Sequence, residues 1–324
     1  MPSPSSPFRS PRLILLRLAG LCLFSGYAWL YLDKQRAPLT QFLWNPRYRE
    51  PIEFLSGKNW SQWLATSSPT IDGIIRLFGF LFLFAGLASL TLPKRPLGIG
   101  KAEDEPTASP NLRTLDFLLS RTRHLRQWVG IGILLLASLG LGLHAWAVYE
   151  SKGHNTTRLF EQLIRLATPC ILIMATTIGL AGNNSTAWLM RLAIASTFVG
   201  HGLFALGIFP PPQEWYFMVG KTLALEPEAT RSFLVVAGVL DLLAAGALLL
   251  PHPLIARLAA TYCTFWGFTT AIARPWAHFT PAEKLYGLDP WLAEGILRLP
   301  HGLLPLALCL ALMRPSRDPS STGR

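Results

Sequence analysis

Gly238-Val239-Leu240-Asp241-Leu242-Leu243-Ala244-Ala245-Gly246-Ala247-Leu248-Leu249-Leu250-Pro251 is the stretch on which the fold turns. Counted from Arg231, it forms an apolar run of about 20 residues, enough for one helix to cross about 30 Å of hydrocarbon. An acid stands at its centre. Inside a bilayer such a group is costly, so it is a functional candidate by default.

Runs of the same character recur on both sides. The sequence predicts an all-α polytopic membrane protein with eight transmembrane helices, at about 13–32, 73–92, 128–149, 162–181, 187–208, 231–250, 254–273 and 291–313. Composition agrees. The 324 residues are 51% hydrophobic and 15% charged, against about 25% charged in soluble domains. The net charge of +11 is scattered over loops and ends, with no basic helix interleaved with aromatics. That excludes nucleic acid as a partner and fits Lys and Arg at an anionic lipid surface. Cys22, Cys170, Cys263 and Cys309 fall in different predicted spans without a CxxC motif, so they read as buried inert thiols.

The spans read as two copies of a four-helix unit. Leu15-Leu16-Arg17-Leu18-Ala19 with Phe24 and Gly26 matches Leu189-Met190-Arg191-Leu192-Ala193 with Phe198 and Gly200 at a fixed offset. The second helices end Leu90-Thr91-Leu92-Pro93 and Leu248-Leu249-Leu250-Pro251. The third end near Trp146-Ala147 and Trp276-Ala277. The fourth begin Glu161…Arg165-Leu166 and Glu294…Arg298-Leu299. Four crossings return the chain to its starting side, so the copies are expected to be parallel repeats about a pseudo-two-fold axis near the membrane normal. The first unit covers 13–181, with a cytoplasmic linker at 93–126, and the second 186–313. Residues 1–12 and 314–324 read as disordered cytoplasmic tails, and 101–110 as a disordered part of the linker. The arginines before the first apolar run mimic a signal peptide, with Gly26-Tyr27-Ala28 as a weak cleavage pattern. The repeat uses that helix as a structural member, so cleavage is not expected.

Lys94, Arg95, Lys101, Arg113, Arg121, Arg123 and Arg126, with Arg9, Arg12, Arg314 and Arg317, place both termini in the cytoplasm by the positive-inside rule. The expected location is a bacterial inner membrane. Residues 39–65 and 209–225 are rich in Trp and Tyr at the same place in each copy, and predict short interfacial helices capping the bundle.

Six ionisable residues fall in the second copy's outer half: His201, Asp241, Arg274, Glu294, Arg298 and His301. Glu294, Arg298 and His301, at i, i+4 and i+7, are predicted on one helical face. The first copy has Tyr27, Leu83, His144 and Thr168 where the second has His201, Asp241, Arg274 and His301. Only the acid–arginine pair recurs, so Glu294–Arg298 and Glu161–Arg165 read as structural ion pairs. Asp241, His201, Arg274 and His301 are the candidates for a ligand or proton site, and the first copy reads as a structural half. Asp241 is expected to find Arg274, Arg298 or a histidine as its partner. No HExxH or other metal-ligand spacing occurs, and no metal is expected. Paired broken helices are not evident either.

The unit resembles the DoxX-like family of four-helix membrane proteins. The resemblance rests on Arg191-Leu192-Ala193, Phe198 and Gly200-His201-Gly202, followed by Gly238 to Pro251 with Asp241 in the family's acidic position. Gly79 to Gly86 repeats the pattern in the first copy without the acid. The resemblance implies a four-helix bundle, and in some members a link to thiosulfate oxidation feeding a quinone, to oxidant resistance or to cargo reception. Three readings follow: a non-catalytic partner, assembly or accessory subunit with a polar pocket in the second repeat; a quinone-linked redox protein with a membrane or periplasmic redox partner; and a small-solute transporter. In the second reading, Asp241 and His201 exchange protons at the quinone.

Overall fold

The computed structural model describes residues 11–33, 38–92, 110–178, 184–282 and 288–313. Among them every regular element is helical. The order is α1 (Pro11–Leu32), α2 (Pro38–Leu43), a 3-10 turn (Pro46–Tyr48), α3 (Arg49–Ser56), α4 (Trp60–Thr66), α5 (Ser68–Thr91), α6 (Pro110–Ser151), α7 (Thr157–Thr177), α8 (Asn184–Ala205), α9 (Gln213–Leu223), α10 (Pro227–Leu249), α11 (Pro253–His278), α12 (Asp289–Ile296) and α13 (Pro300–Leu312).

Among the described residues, seven stretches are long and apolar enough to cross a membrane: α1, α5, the His124–Ser151 part of α6, α7, Ser185–Ala205 of α8, α10, and Trp291–Leu312. The sequence reading expects eight. The difference is α11, whose 26 residues suffice in length but include Arg257, Arg274 and several hydroxyl side chains. Large apolar side chains stand exposed around the bundle, among them Leu77, Leu139, Leu243 and Phe265. In water a belt of this kind is unfavourable; against lipid chains it carries no penalty.

The helices pack in two rings. α1 lies on α5, α5 on α6, α6 on α7, and α7 returns to α1; α8, α10, α11 and α13 close in the same way. The rings are joined by α7 against α8 and by α1 against α12 and α13. The connection between the first two long helices of each ring folds into short helices, and α2 sits on α6 as α9 sits on α11. Local chemistry is matched too. The Arg17 guanidinium donates to the carbonyl of Leu92 at the end of α5, and Arg191 Nη1 donates to the carbonyl of Leu250 at the end of α10, at 3.0 Å. Each carbonyl precedes a proline and has lost its helical donor, so a long side chain from the neighbouring helix satisfies it.

Close approach depends on small residues, as expected where lipid gives no hydrophobic drive to helix association. A Cβ on Gly202 would lie 2.9 Å from the carbonyl oxygen of Gly238, so α8 and α10 touch backbone to backbone beside His201.

Two elements depart from expectation. The second half of the 93–126 linker is helical, Pro110 of the stretch expected to be disordered included: residues 110–126 are the first turns of α6, which runs unbroken for 42 residues. No Pro or Gly falls between Asn111 and Val129 to stop it. The remainder of that linker, residues 1–10 of the first tail and the 314–324 tail lie outside the described residues. The last span is also broken, between α12 and α13. Pro300 has no N–H and its ring crowds the carbonyl of Ile296. The chain therefore tightens into i→i−3 bonds, with Arg298 N donating to Gly295 O, Leu299 N to Ile296 O and His301 N to Arg298 O. Gly267 of α11 packs on this break, and a Cβ there would lie 2.2 Å from the His301 carbonyl oxygen. Glu294 and His301 thus stand on different helices rather than on one continuous face. In the first ring, α7 holds Pro169 without breaking.

Candidate functional site

A cavity of about 740 Å³ lies between the rings. All six second-copy residues line it: His201 from α8, Asp241 from α10, Arg274 from α11, Glu294 from α12, Arg298 from the break and His301 from α13. The first ring contributes as well, through Tyr27 of α1, His144 of α6 and Arg158, Glu161, Gln162 and Arg165 of α7. This corrects the expectation of a pocket confined to the second repeat beside a structural half. The packing of α7 on α8 and of α1 on α12 and α13 turns the start of both fourth helices towards one space.

Charge is concentrated at that junction. Glu294 Oε2 lies 2.7 Å from Arg298 Nη1 and 3.2 Å from Arg274 Nη1, so one carboxylate serves two guanidinium groups. Arg274 is 8% exposed, so it is held inside the bundle by Glu294. Arg165 lies about 12 Å into its span, eight residues after Thr157 at 1.5 Å each. It is not paired with Glu161. It bonds Gln162 Oε1 at 2.9 Å and Tyr27 Oη at 3.3 Å, while Glu161 accepts from Arg158 at 3.0 Å and faces His201 Nε2 at 3.9 Å. A one-turn shift explains the exchange, since Arg158 reaches Glu161 from the i−3 position. Two donors in the cluster, Arg165 Nε and Arg274 Nε, are buried with no hydrogen-bond partner.

Three imidazoles surround these charges. His201 and His301 stack at 5.8 Å with rings 11° from parallel. His301 Nδ1 lies 2.9 Å from the Arg298 carbonyl oxygen, and His144 Nδ1 lies 3.0 Å from Tyr31 Oη. Asp241 belongs to another wall. Its partner is neither an arginine nor a histidine, because Tyr262 Oη donates to its Oδ1 at 2.8 Å, and it forms no ion pair among the described residues. Tyr262 sits on α11, the neighbour of α10 in the ring, and so reaches the acid before any group across the cavity does. Trp266, Leu234, Ala237, Met218 and Val219 make the adjoining surface apolar.

The cap is tied to the site. Glu214 of α9 lies 2.6 Å from His278 Nε2 at the end of α11, and His278 stacks at 3.5 Å on Trp291 of α12. Trp215 stands edge-on to His201 at 5.7 Å. The four cysteines are free and spread over α1, α7, α11 and α13. No group of three or more His, Cys, Asp or Glu side chains able to hold a metal occurs among the described residues.

The chain matches no family model, no curated protein and no solved structure. Its chemistry is therefore read from the cavity itself. The first copy's part in the site went unread in the sequence, although Glu161…Arg165 and Glu294…Arg298 carried the signal. The two segments face one space because the rings meet through α1, α7, α8, α12 and α13.

Proposed function

We propose that this is an eight-span membrane protein of DoxX-like type, built from two parallel four-helix repeats, whose interface cavity binds a small molecule. The matched ring packing, the matched caps and the Arg17–Leu92 and Arg191–Leu250 bonds support the repeat. They also support counting α11 as the eighth span, since it holds the ring position that α6 holds in the other copy. The Lys and Arg of 93–126 and of the tails favour cytoplasmic termini in a bacterial inner membrane.

The observation that carries the binding role is the cavity. Its volume lies within the range of small-molecule sites, its walls are largely apolar, and a few polar groups converge at one end. The role is that of a receptor or accessory subunit, with Asp241, His201, Arg274 and His301 as ligand contacts. The quinone reading draws less support, because Asp241 and His201 are engaged by Tyr262 and Glu161 and form no carboxylate–histidine pair. Transport has one observation in its favour: the last span is discontinuous beside the cavity, as in carriers whose sites form at broken helices.

Ala237 lines the cavity from α10 and is the place to fill it. Native mass spectrometry of protein extracted from its own membrane is expected to show a bound small molecule. Ala237→Trp should lose that molecule while keeping its melting temperature. A wild-type protein with nothing bound, or a variant that keeps its adduct, sinks the reading. Uptake by wild-type proteoliposomes, absent with Ala237→Trp, would establish the carrier instead.

A further inference from the structure

We infer that the occupant of this cavity is an amphipathic oxyanion, of the phosphate-monoester or carboxylate class, with its head at Arg165, Arg274 and Arg298. The inference rests on the binding role proposed above and adds the ligand's chemistry.

Charge counting comes first. Arg158, Arg165, Arg274 and Arg298 meet Glu161 and Glu294 at one end of the cavity. With Lys152 on one side and Glu214 and Asp241 on the other, the described lining holds five basic side chains against four carboxylates, an excess of positive charge gathered at the arginines. Asp241 does not reduce it locally, since its hydrogen bond goes to Tyr262 and it pairs with none of the four. An uncompensated charge within a span is strongly disfavoured. A bound anion restores the balance.

Donor geometry comes second. Arg165 and Arg274 are each 8% exposed, and the Nε of each is buried with no partner. Arg165 finds only neutral acceptors, Tyr27 and Gln162, although it carries the charge best suited to a carboxylate or phosphate fork. The arginines come from α7, α11 and the break between α12 and α13, three separate parts of the cavity wall. This arrangement suits a multi-oxygen anion better than a single carbonyl.

The remaining wall supplies the second half of the assignment. Leu234, Ala237, Trp266, Met218 and Val219 accept an apolar body. The same head-group chemistry has two sources, a lipid-like amphiphile from the bilayer or a free oxyanion from solution.

The test uses the full chain in phosphatidylcholine nanodiscs, with empty discs as the reference. The probes are decyl phosphate, decyl sulfate, decanol and inorganic phosphate. Decyl phosphate is expected to bind most tightly, decyl sulfate less, and decanol at least about tenfold more weakly, the ratio expected from one charge-assisted contact. Arg165→Gln and Arg274→Gln should each weaken decyl phosphate by about 10- to 100-fold. Competition by inorganic phosphate would assign a free oxyanion, and its failure to compete a bilayer amphiphile. Should a glutamine variant misfold, Arg165→Lys keeps the charge without the fork, and the wild-type probe series decides on its own. Decanol binding as tightly as decyl phosphate, or arginine variants that bind decyl phosphate unchanged, overturns the oxyanion while leaving a binding cavity. No binding of any probe, with no bound molecule in the native protein, overturns both.

Discussion

The two rings share a packing plan and differ where their fourth helices pass the cavity. In the first, α7 runs straight through with Arg165 directed at Tyr27 and Gln162. In the second, the equivalent span breaks at Leu297–Leu299 and brings Glu294, Arg298 and His301 together. The α7 ring holds an aromatic cluster of Phe24, Tyr27, Tyr31, Phe78 and Phe82, whose two tyrosines contact His144. The α13 ring carries the buried acid and the histidine stack. The two rings share their arginine-to-carbonyl bonds and differ in one helix at the place where they meet.

The break is the sharpest point at which to test that contrast. Gly267→Ala puts a Cβ against the His301 carbonyl, and folded protein on size-exclusion chromatography should be largely lost, a cost of about 3 kcal/mol or more. The Trp146/Trp276 match sets Ala137 at the same place in the first ring, fully buried against an unbroken neighbour. Ala137→Gly should cost only about 1 kcal/mol in thermal unfolding. Equal losses at the two sites would dissolve the distinction between the rings.

A smaller effect separates the two acid–arginine pairs. Glu294→Gln leaves Arg274 and Arg298 without their shared carboxylate and should cost about 2–3 kcal/mol, since the trio is only partly shielded from solvent. Glu161→Gln removes its carboxylate from one arginine, Arg158, rather than from two, and should cost less, about 1 kcal/mol. A melting-temperature difference in the opposite order would mean that Glu161 is the structural carboxylate.

The next pair should show no difference. Arg17→Ala and Arg191→Ala each strand one helix-terminal carbonyl and should lower stability alike, by about 1–2 kcal/mol. Stability lost at only one of them would break the equivalence of the copies. The smallest change is expected from Asp241→Asn, which keeps an acceptor for Tyr262 and should shift stability by under about 1 kcal/mol. A collapse of the fold there would make Asp241 a charged strut rather than part of a binding wall.

Much of this architecture could be read from residues. Apolar runs located the helices, and the depth of His201, Asp241, Arg274, Glu294, Arg298 and His301 predicted that they would share a space. Three features could not be read in that way. The contribution of Arg165 and His144 depends on which helices of the two copies touch, and periodicity carries no such information. The break at Pro300 hides inside an apolar run, because hydropathy does not register a missing N–H. Asp241 found Tyr262 because an adjacent hydroxyl reaches a buried acid sooner than a distant charge does, and apolar patterning ranks tyrosine as bulk rather than as a donor.

The length of α6 has a practical consequence. Its span begins at His124, so the turns from Pro110 onward stand about 20 Å clear of the apolar belt at 1.5 Å per residue. Small membrane proteins are hard to orient in electron micrographs because a detergent shell hides their features. This chain carries a helical extension of its own, and a fusion domain joined in helical register at Pro110 would continue it.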